Sequence, residues 1–171
     1  MKPYFSVLAR YNVWATRKLY EQVDALSELD YRRDCGLFFK SIHGTLNHLL
    51  VAGDTVWYPR FAQGQSPQDV KLSDEVETDR AALKEELVRS GERWRRLVEA
   101  TSDERYEGVL DYTNLRGTRA VLPFPATLAH VFNHGTHHRG QITAALTATG
   151  HECPELDLVY MLQQEQAANA N

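Results

Sequence analysis

The chain has 171 residues, 43 % hydrophobic and 25 % charged, with a formal net charge of −4. That length and balance fit one globular domain, expected to span 1–171, with a sizeable core. The acidic balance without a Lys/Arg cluster excludes nucleic acid as a primary partner, no apolar run is long enough to span a membrane, and Cys35 and Cys153 are too few for a disulfide framework.

Met1-Lys2-Pro3-Tyr4 carries charge and an aromatic ring where a signal peptide would be apolar, so a cytoplasmic location is expected. Tyr4, Leu8, Tyr11, Ala15, Leu19, Val23 and Leu26 recur at helical spacing and predict a long amphipathic first helix, with Asn12 and Trp14 on other parts of its surface. Asp30 to Lys40 reads as a connection. Ser41 can cap a second helix through Ile42, Leu46, Leu49, Leu50, Val56 and Trp57, which Pro59 is expected to kink or end. Phe61 to Ser73 is polar, holds Gly64 and Pro67, and reads as a linker. At about 3.3 Å per extended residue it spans roughly 40 Å, enough to run the length of a helix and start the next in the same direction. Asp74, Glu75 and Glu77 then open a third helix with Leu83, Leu87, Trp94, Leu97 and Val98 inward. Glu107 to Pro123 breaks the helical period and reads as a β-hairpin turning at Asn114 to Gly117. A fourth helix follows Phe124 to Thr127 and ends near Gly150. Pro154 restarts a short helix, and the polar tail from Gln163 is expected to fray. Four long helices specify a bundle.

Four of the seven histidines lie between His130 and His138. With His130 set at zero on a helix of about 3.6 residues per turn, His134 falls near about 40°, His138 near about 80° and His137 near about −20°. Leu128, Val131, Ile142 and Leu146 fall between about 100° and 160°. His134 and His138 thus border the buried stripe, while His130 and His137 point away. Residues four apart can aim two imidazoles at one point, although four such histidines could also be plain surface residues. The second helix offers His43 or His48. The apolar stripe passes nearer His43, but a bundle helix has neighbours on both flanks, so His48 is not excluded. Either one completes a three-histidine set with a coordination position open, suited to zinc, nickel, iron or copper. Gly135 stands where a zincin motif has its glutamate, so a peptidase is not expected. No P-loop, dinucleotide fingerprint or nucleophile elbow is present. Gly140, inside a helix, is expected to admit a neighbouring helix. Arg139 and Gln141 are candidates to hydrogen-bond the ligands or an anionic substrate group, beside plain surface roles.

Ser41-Ile42-His43-Gly44-Thr45-Leu46-Asn47-His48-Leu49-Leu50, with Asp54 and Trp57, resembles the second-helix signature of the DinB family, the damage-inducible DinB/YfiT-like metalloenzymes. Asn133-His134 followed by His138-Arg139-Gly140-Gln141 resembles its second signature, and Tyr11-Asn12-Val13-Trp14-Ala15 its first-helix segment. The resemblance covers nearly the whole chain. It implies an all-α four-helix bundle in up-down-down-up order, to which the pattern above adds the hairpin between the third and fourth helices and the short C-terminal helix. By motif position it implies a metal triad of His48, His134 and His138, with zinc or nickel the usual ion, and a homodimer. Related members are thiol-dependent transferases or isomerases using bacillithiol or mycothiol, whose metal would lower the pKa of the thiol. The expectation is a metalloenzyme of the thiol S-transferase type, with a small-molecule substrate, a low-molecular-weight thiol and no residue yet assigned to catalysis. The alternatives are a non-catalytic metal-binding stress-response protein and a metal-dependent hydrolase.

Overall fold

A computed structural model describes residues 1–170. Pro3 sits in the first turn of α1 (Lys2–Val23), where a helix has no use for its missing N–H. The inward stripe begins one residue later than the pattern predicts. Tyr4 is exposed, while Phe5 is buried and stacks on Tyr106. The connection after α1 holds one turn of helix that the pattern did not show, α2 (Glu28–Arg32), capped where the Ser27 hydroxyl accepts from the Asp30 N–H.

Ser41 caps α3 (Ile42–Leu50) as expected, its hydroxyl accepting from the Gly44 N–H at 2.9 Å. Pro59 does not end this helix. The chain widens into a π-helical stretch, Val51–Trp57, and continues as α4 (Tyr58–Gln63) with Pro59 in its first turn. A proline removes one ladder hydrogen bond and crowds the turn before it, and a wider winding upstream accommodates both. The Trp94 indole N–H donates to the Gly53 carbonyl within that stretch.

The crossing segment runs from 64 to 79, longer than predicted, because Asp74 to Glu77 do not open the third helix. That helix, α5 (Arg80–Ala100), starts where the Asp79 carboxylate accepts from the Ala82 N–H. The acidic residues are held back in the loop by Asn47, whose Oδ1 accepts from the Val76 and Glu77 N–H groups. The hairpin forms as read, β1 (Val109–Thr113) antiparallel to β2 (Arg119–Pro123), with Leu110 opposite Leu122. It feeds directly into α6 (Phe124–Ala148). Two bonds close the end of α6, Gly150 N–H to Thr147 and His151 N–H to Leu146, the paired pattern of a Schellman motif. The last helix, α7 (Leu158–Asn169), extends through the polar tail that was expected to fray. Two side-chain ties to α1 hold it: the Trp14 indole to Gln164 at 2.8 Å, and Arg10 to Glu165 at 2.8 Å.

Two apolar clusters fill the bundle and reveal its order. One joins Leu19 and Val23 at the end of α1 to Ile42 and Leu46 at the start of α3, Leu83 and Leu87 at the start of α5, and Ile142 and Leu146 at the end of α6. The other joins Phe5 and Ala9 to Trp94 and Val98, and both to Phe124, Leu128 and Phe132. Thus α1 and α6 run one way and α3 and α5 the other, an up-down-down-up four-helix bundle. Between the clusters every long helix turns polar: Asn12 and Thr16 on α1, His48 on α3, Ser90 on α5, His134, His138 and Arg139 on α6. Among the described residues no helix is long and apolar enough to cross a membrane.

Candidate metal centre

His48, His134 and His138 meet in that polar layer, each offering a ring nitrogen within 4.8 Å of the others. His134 Nε2 lies 3.1 Å from His48 Nε2 and 3.1 Å from His138 Nε2. Proton placement follows from the far side of two rings. His48 Nδ1 lies 2.8 Å from the Leu72 carbonyl, which can only accept, so Nδ1 carries the proton and Nε2 a bare lone pair. His138 Nδ1 donates to Gln141 Oε1 at 2.7 Å, with the same consequence. His134 Nε2 can give a proton to one neighbour and not both. Three imidazole nitrogens therefore converge with too few protons to pair them. A divalent cation suits that arrangement: ligands at about 2.0–2.1 Å in tetrahedral geometry stand about 3.3 Å apart, close to the spacing here.

The local electrostatics keep these rings neutral. Desolvation, then repulsion from His138 and His48, hold His134 down to about 3. Desolvation holds His138 down to about 4 against the Gln141 hydrogen bond, and burial also lowers His48. Protons should therefore compete weakly with a metal. Between pH 8 and about pH 5.5 we expect affinity to fall no more than about tenfold. A site of three ordinary imidazoles near 6.5 would lose about tenfold per ring over that range. The fold itself has the opposite sensitivity. The unfolded chain takes up these protons below about 6.5 while the folded chain refuses them, so metal-free protein loses stability as pH falls from about 6.5, with the loss complete near 3. Competition titrations at the two pH values, with thermal melts of metal-free protein, check both. A thousandfold fall in affinity would refute the first.

The other histidines stand apart from the cluster. His43 is buried but belongs to a separate network, 3.0 Å from the Tyr31 hydroxyl, 3.2 Å from Asn47 Nδ2 and 3.4 Å from Glu75. His130 and His137 are exposed. Gln141 touches the site and Arg139 lies buried behind it. Gly140 admits no neighbouring helix, because it faces open space.

Four contributors have roles that the sequence pattern does not show. Phe39 stacks on His48, ring centroids 3.8 Å apart, and meets His138 edge-on. A side chain at Gly44 would collide with the Phe39 carbonyl, so glycine there lets the connection close over the site. Leu72 contributes its main-chain carbonyl, which carries no residue-type signal. Asn47, fully buried, holds the loop that carries Leu72. A lone amide inside an apolar helix run is a signal that could have been read.

The DinB family model matches residues 1–169. Protein DinB of Bacillus subtilis (strain 168) is 28% identical over 169 residues, covering 94% of this chain and 96% of its own. Among solved structures, YfiT from Bacillus subtilis superposes with a TM-score of 0.67 at 15% identity, over 85% of this chain and 87% of its own. It is described as a probable metal-dependent hydrolase with an unusual four-helix bundle topology. A DinB-like protein from Bacillus cereus ATCC 10987 gives 0.59 at 16% identity, over 82% and 89%. At such identities the structures speak to the fold alone.

Proposed function

Since the chain belongs to the DinB family, we propose that it is a metalloenzyme in which His48, His134 and His138 hold one divalent ion, zinc or nickel, and that it transfers a low-molecular-weight thiol to a small electrophile. The observation that carries the first half is the convergence of three imidazole nitrogens whose protons are committed elsewhere or insufficient. When bound, the ion supplies Lewis acidity that ionises a thiol or a water at its open position.

The residues around the cluster favour the thiol. Among the described residues no carboxylate figures among the causes that shift the three rings. A water nucleophile gains from a general base, whereas a thiol, acidic already, ionises beside a cation without one. Beyond His130, one helical turn from His134, lies a largely apolar groove of about 340 Å³ lined by Trp57, Leu122, Pro123, Ala126, Thr127 and His130. It suits an uncharged electrophile carrying hydrocarbon or halogen. Hydrolysis, the activity attributed to YfiT, is the second reading, and His130 favours it. This imidazole, ring centroid 5.8 Å from that of His134, has its pKa lowered by desolvation and Arg60 and is free to act as base.

The test is turnover by metal-loaded protein. Thioether formation that saturates in thiol and in electrophile, disappears on chelation and survives His130→Gln supports transfer. Cleavage of esters or amides without thiol, lowered at least tenfold in kcat by His130→Gln, replaces it with hydrolysis.

A further inference from the structure

Arg139 is the most deeply buried cation of the polar layer, 3 % exposed. Its Nη1 donates to Asn12 Oδ1 at 2.8 Å, and its guanidinium lies 5.4 Å from the centre of the Tyr11 ring. Its Nε and Nη2 have no hydrogen-bond partner. The Tyr11 hydroxyl donates to the Leu156 carbonyl and keeps its lone pairs toward the guanidinium, but it does not reach hydrogen-bond geometry with Nε or Nη2. Among the described residues no carboxylate pairs with Arg139. Arginine does not shed its proton on burial, so the charge persists, and an uncompensated buried charge is strongly unfavourable.

Beside this guanidinium is a cavity of about 40 Å³ between α1, α3, α5 and α6. Asn12, Thr16, Ser90 and Arg139 line its polar side, His134 lines another, and no acidic residue takes part. The volume holds about three waters, or one small ion. The available partners are mostly donors. Asn12 gives its oxygen to Arg139 and keeps its amide hydrogens, Ser90 has a hydroxyl, and Arg139 has two unpaired N–H edges. Gly135 leaves room for the pair: a Cβ there would stand 3.1 Å from both Arg139 Nη1 and Asn12 Oδ1 and press them aside by a few tenths of an ångström.

We propose that this cavity is an anion site, taking one small monovalent anion of halide or formate size between Arg139 and Ser90. Water alone could satisfy the hydrogen bonds but not the charge. Because His134 belongs to both the cavity wall and the three-histidine cluster, a divalent ion there would add positive charge one side chain away, with no carboxylate to offset it. Anion and metal should therefore strengthen each other's binding reciprocally. That coupling rests on the proposed metal centre; the anion site does not.

The probe is sodium bromide with the full chain, metal-free and metal-loaded. Crystals grown in bromide should show an anomalous peak within hydrogen-bond distance of Arg139 Nη2. Melting temperature should rise saturably with bromide at constant ionic strength, and Arg139→Met should abolish the saturable part. Metal loading should tighten bromide binding about tenfold. Ordered water alone in the wild-type cavity would overturn the proposal whether or not Arg139→Met folds. Bromide bound equally tightly with and without metal would overturn the coupling and count against the three-histidine centre, leaving the cavity site standing.

Discussion

Alanine at His134 should strip the protein of its metal while leaving the fold in place. His134 Nε2 is the shared node, 3.1 Å from the nitrogens of both other rings. Four-ligand zinc sites bind with about 10–16 kcal/mol, or about 3 kcal/mol per ligand, so losing one should weaken binding by about two orders of magnitude. His48→Ala and His138→Ala should do the same. Gln141→Leu leaves the ligand but frees its Nδ1, and should weaken binding about 10- to 100-fold. His43→Ala, His130→Ala and His137→Ala should stay within about threefold, because His43 serves another network and the other two face solvent. At neutral pH metal-free His134→Ala should melt within a few degrees of the metal-free parent, since the ring it removes is neutral there and only half-buried. Competition titrations against a chromophoric chelator decide the matter. If His43→Ala or His130→Ala loses the ion while His48→Ala or His138→Ala keeps it, the ligand set is wrong.

The contrast between the two histidine helices shows what the sequence could carry. On α6 the helical wheel separates His134 and His138 from His130 and His137, because that helix has one solvent face and one buried face for periodicity to detect. On α3 every residue from Ile42 to His48 is buried. No solvent face contrasts with a buried one, so the apolar stripe points nearer His43, and motif position alone points to His48. The long crossing segment was legible in composition, and its reach accommodates the bundle order that the family resemblance implies. Its end was not, because Asp74 to Glu77 carry an ordinary helix-start composition that Asn47 overrides from another helix. Pro59 misled in the same way: a local breaker was absorbed by a wider winding. The tail after Gln163 reads as polar and loose, yet Trp14 and Arg10 reach across from α1 to hold it.

The polar layer joins these observations. Each long helix interrupts its apolar stripe at the height where the helices face one another, leaving two dry clusters and a wet middle. Such a layer weakens packing, since buried polar groups are tolerated only when satisfied. His43, Asn47 and Thr45 are satisfied within the fold. Outside the layer the Tyr20 and Tyr106 hydroxyls, Asp54 Oδ1 and Arg93 Nε also lack a hydrogen-bond partner, but three converging imidazoles and the Nε and Nη2 of Arg139 lie around one half-buried ring, His134, which is where a bound cation and a bound anion would complete the structure.

Asn47→Ala should be the most damaging single substitution outside the triad, and its damage should reach the metal. Asn47 Oδ1 accepts from Val76 N–H at 2.8 Å and Glu77 N–H at 2.9 Å, and its Nδ2 donates to the Glu77 carbonyl at 2.9 Å. Removing these three hydrogen bonds at about 1 kcal/mol each, together with the longer contact of Nδ2 with His43 Nε2 at 3.2 Å, and leaving their partners without an acceptor or donor, should cost about 3–4 kcal/mol. In a chain of this size that lowers Tm by about 10 °C. The loop so released carries Leu72, whose carbonyl orients His48, so metal affinity should fall about tenfold as well, by the logic that ties ligand orientation to affinity. Asn47→Asp separates the contributions. It keeps an acceptor for both N–H groups but loses the donor to Glu77 and sets a carboxylate beside the Glu77 backbone, so it should fall between alanine and the parent. Amide hydrogen exchange offers the local readout. Val76 and Glu77 should be protected in the parent and exchange freely in Asn47→Ala at temperatures where α3 and α5 remain protected. A variant that melts within about 2 °C of the parent and keeps those two amides protected would show that the loop is held by something other than Asn47.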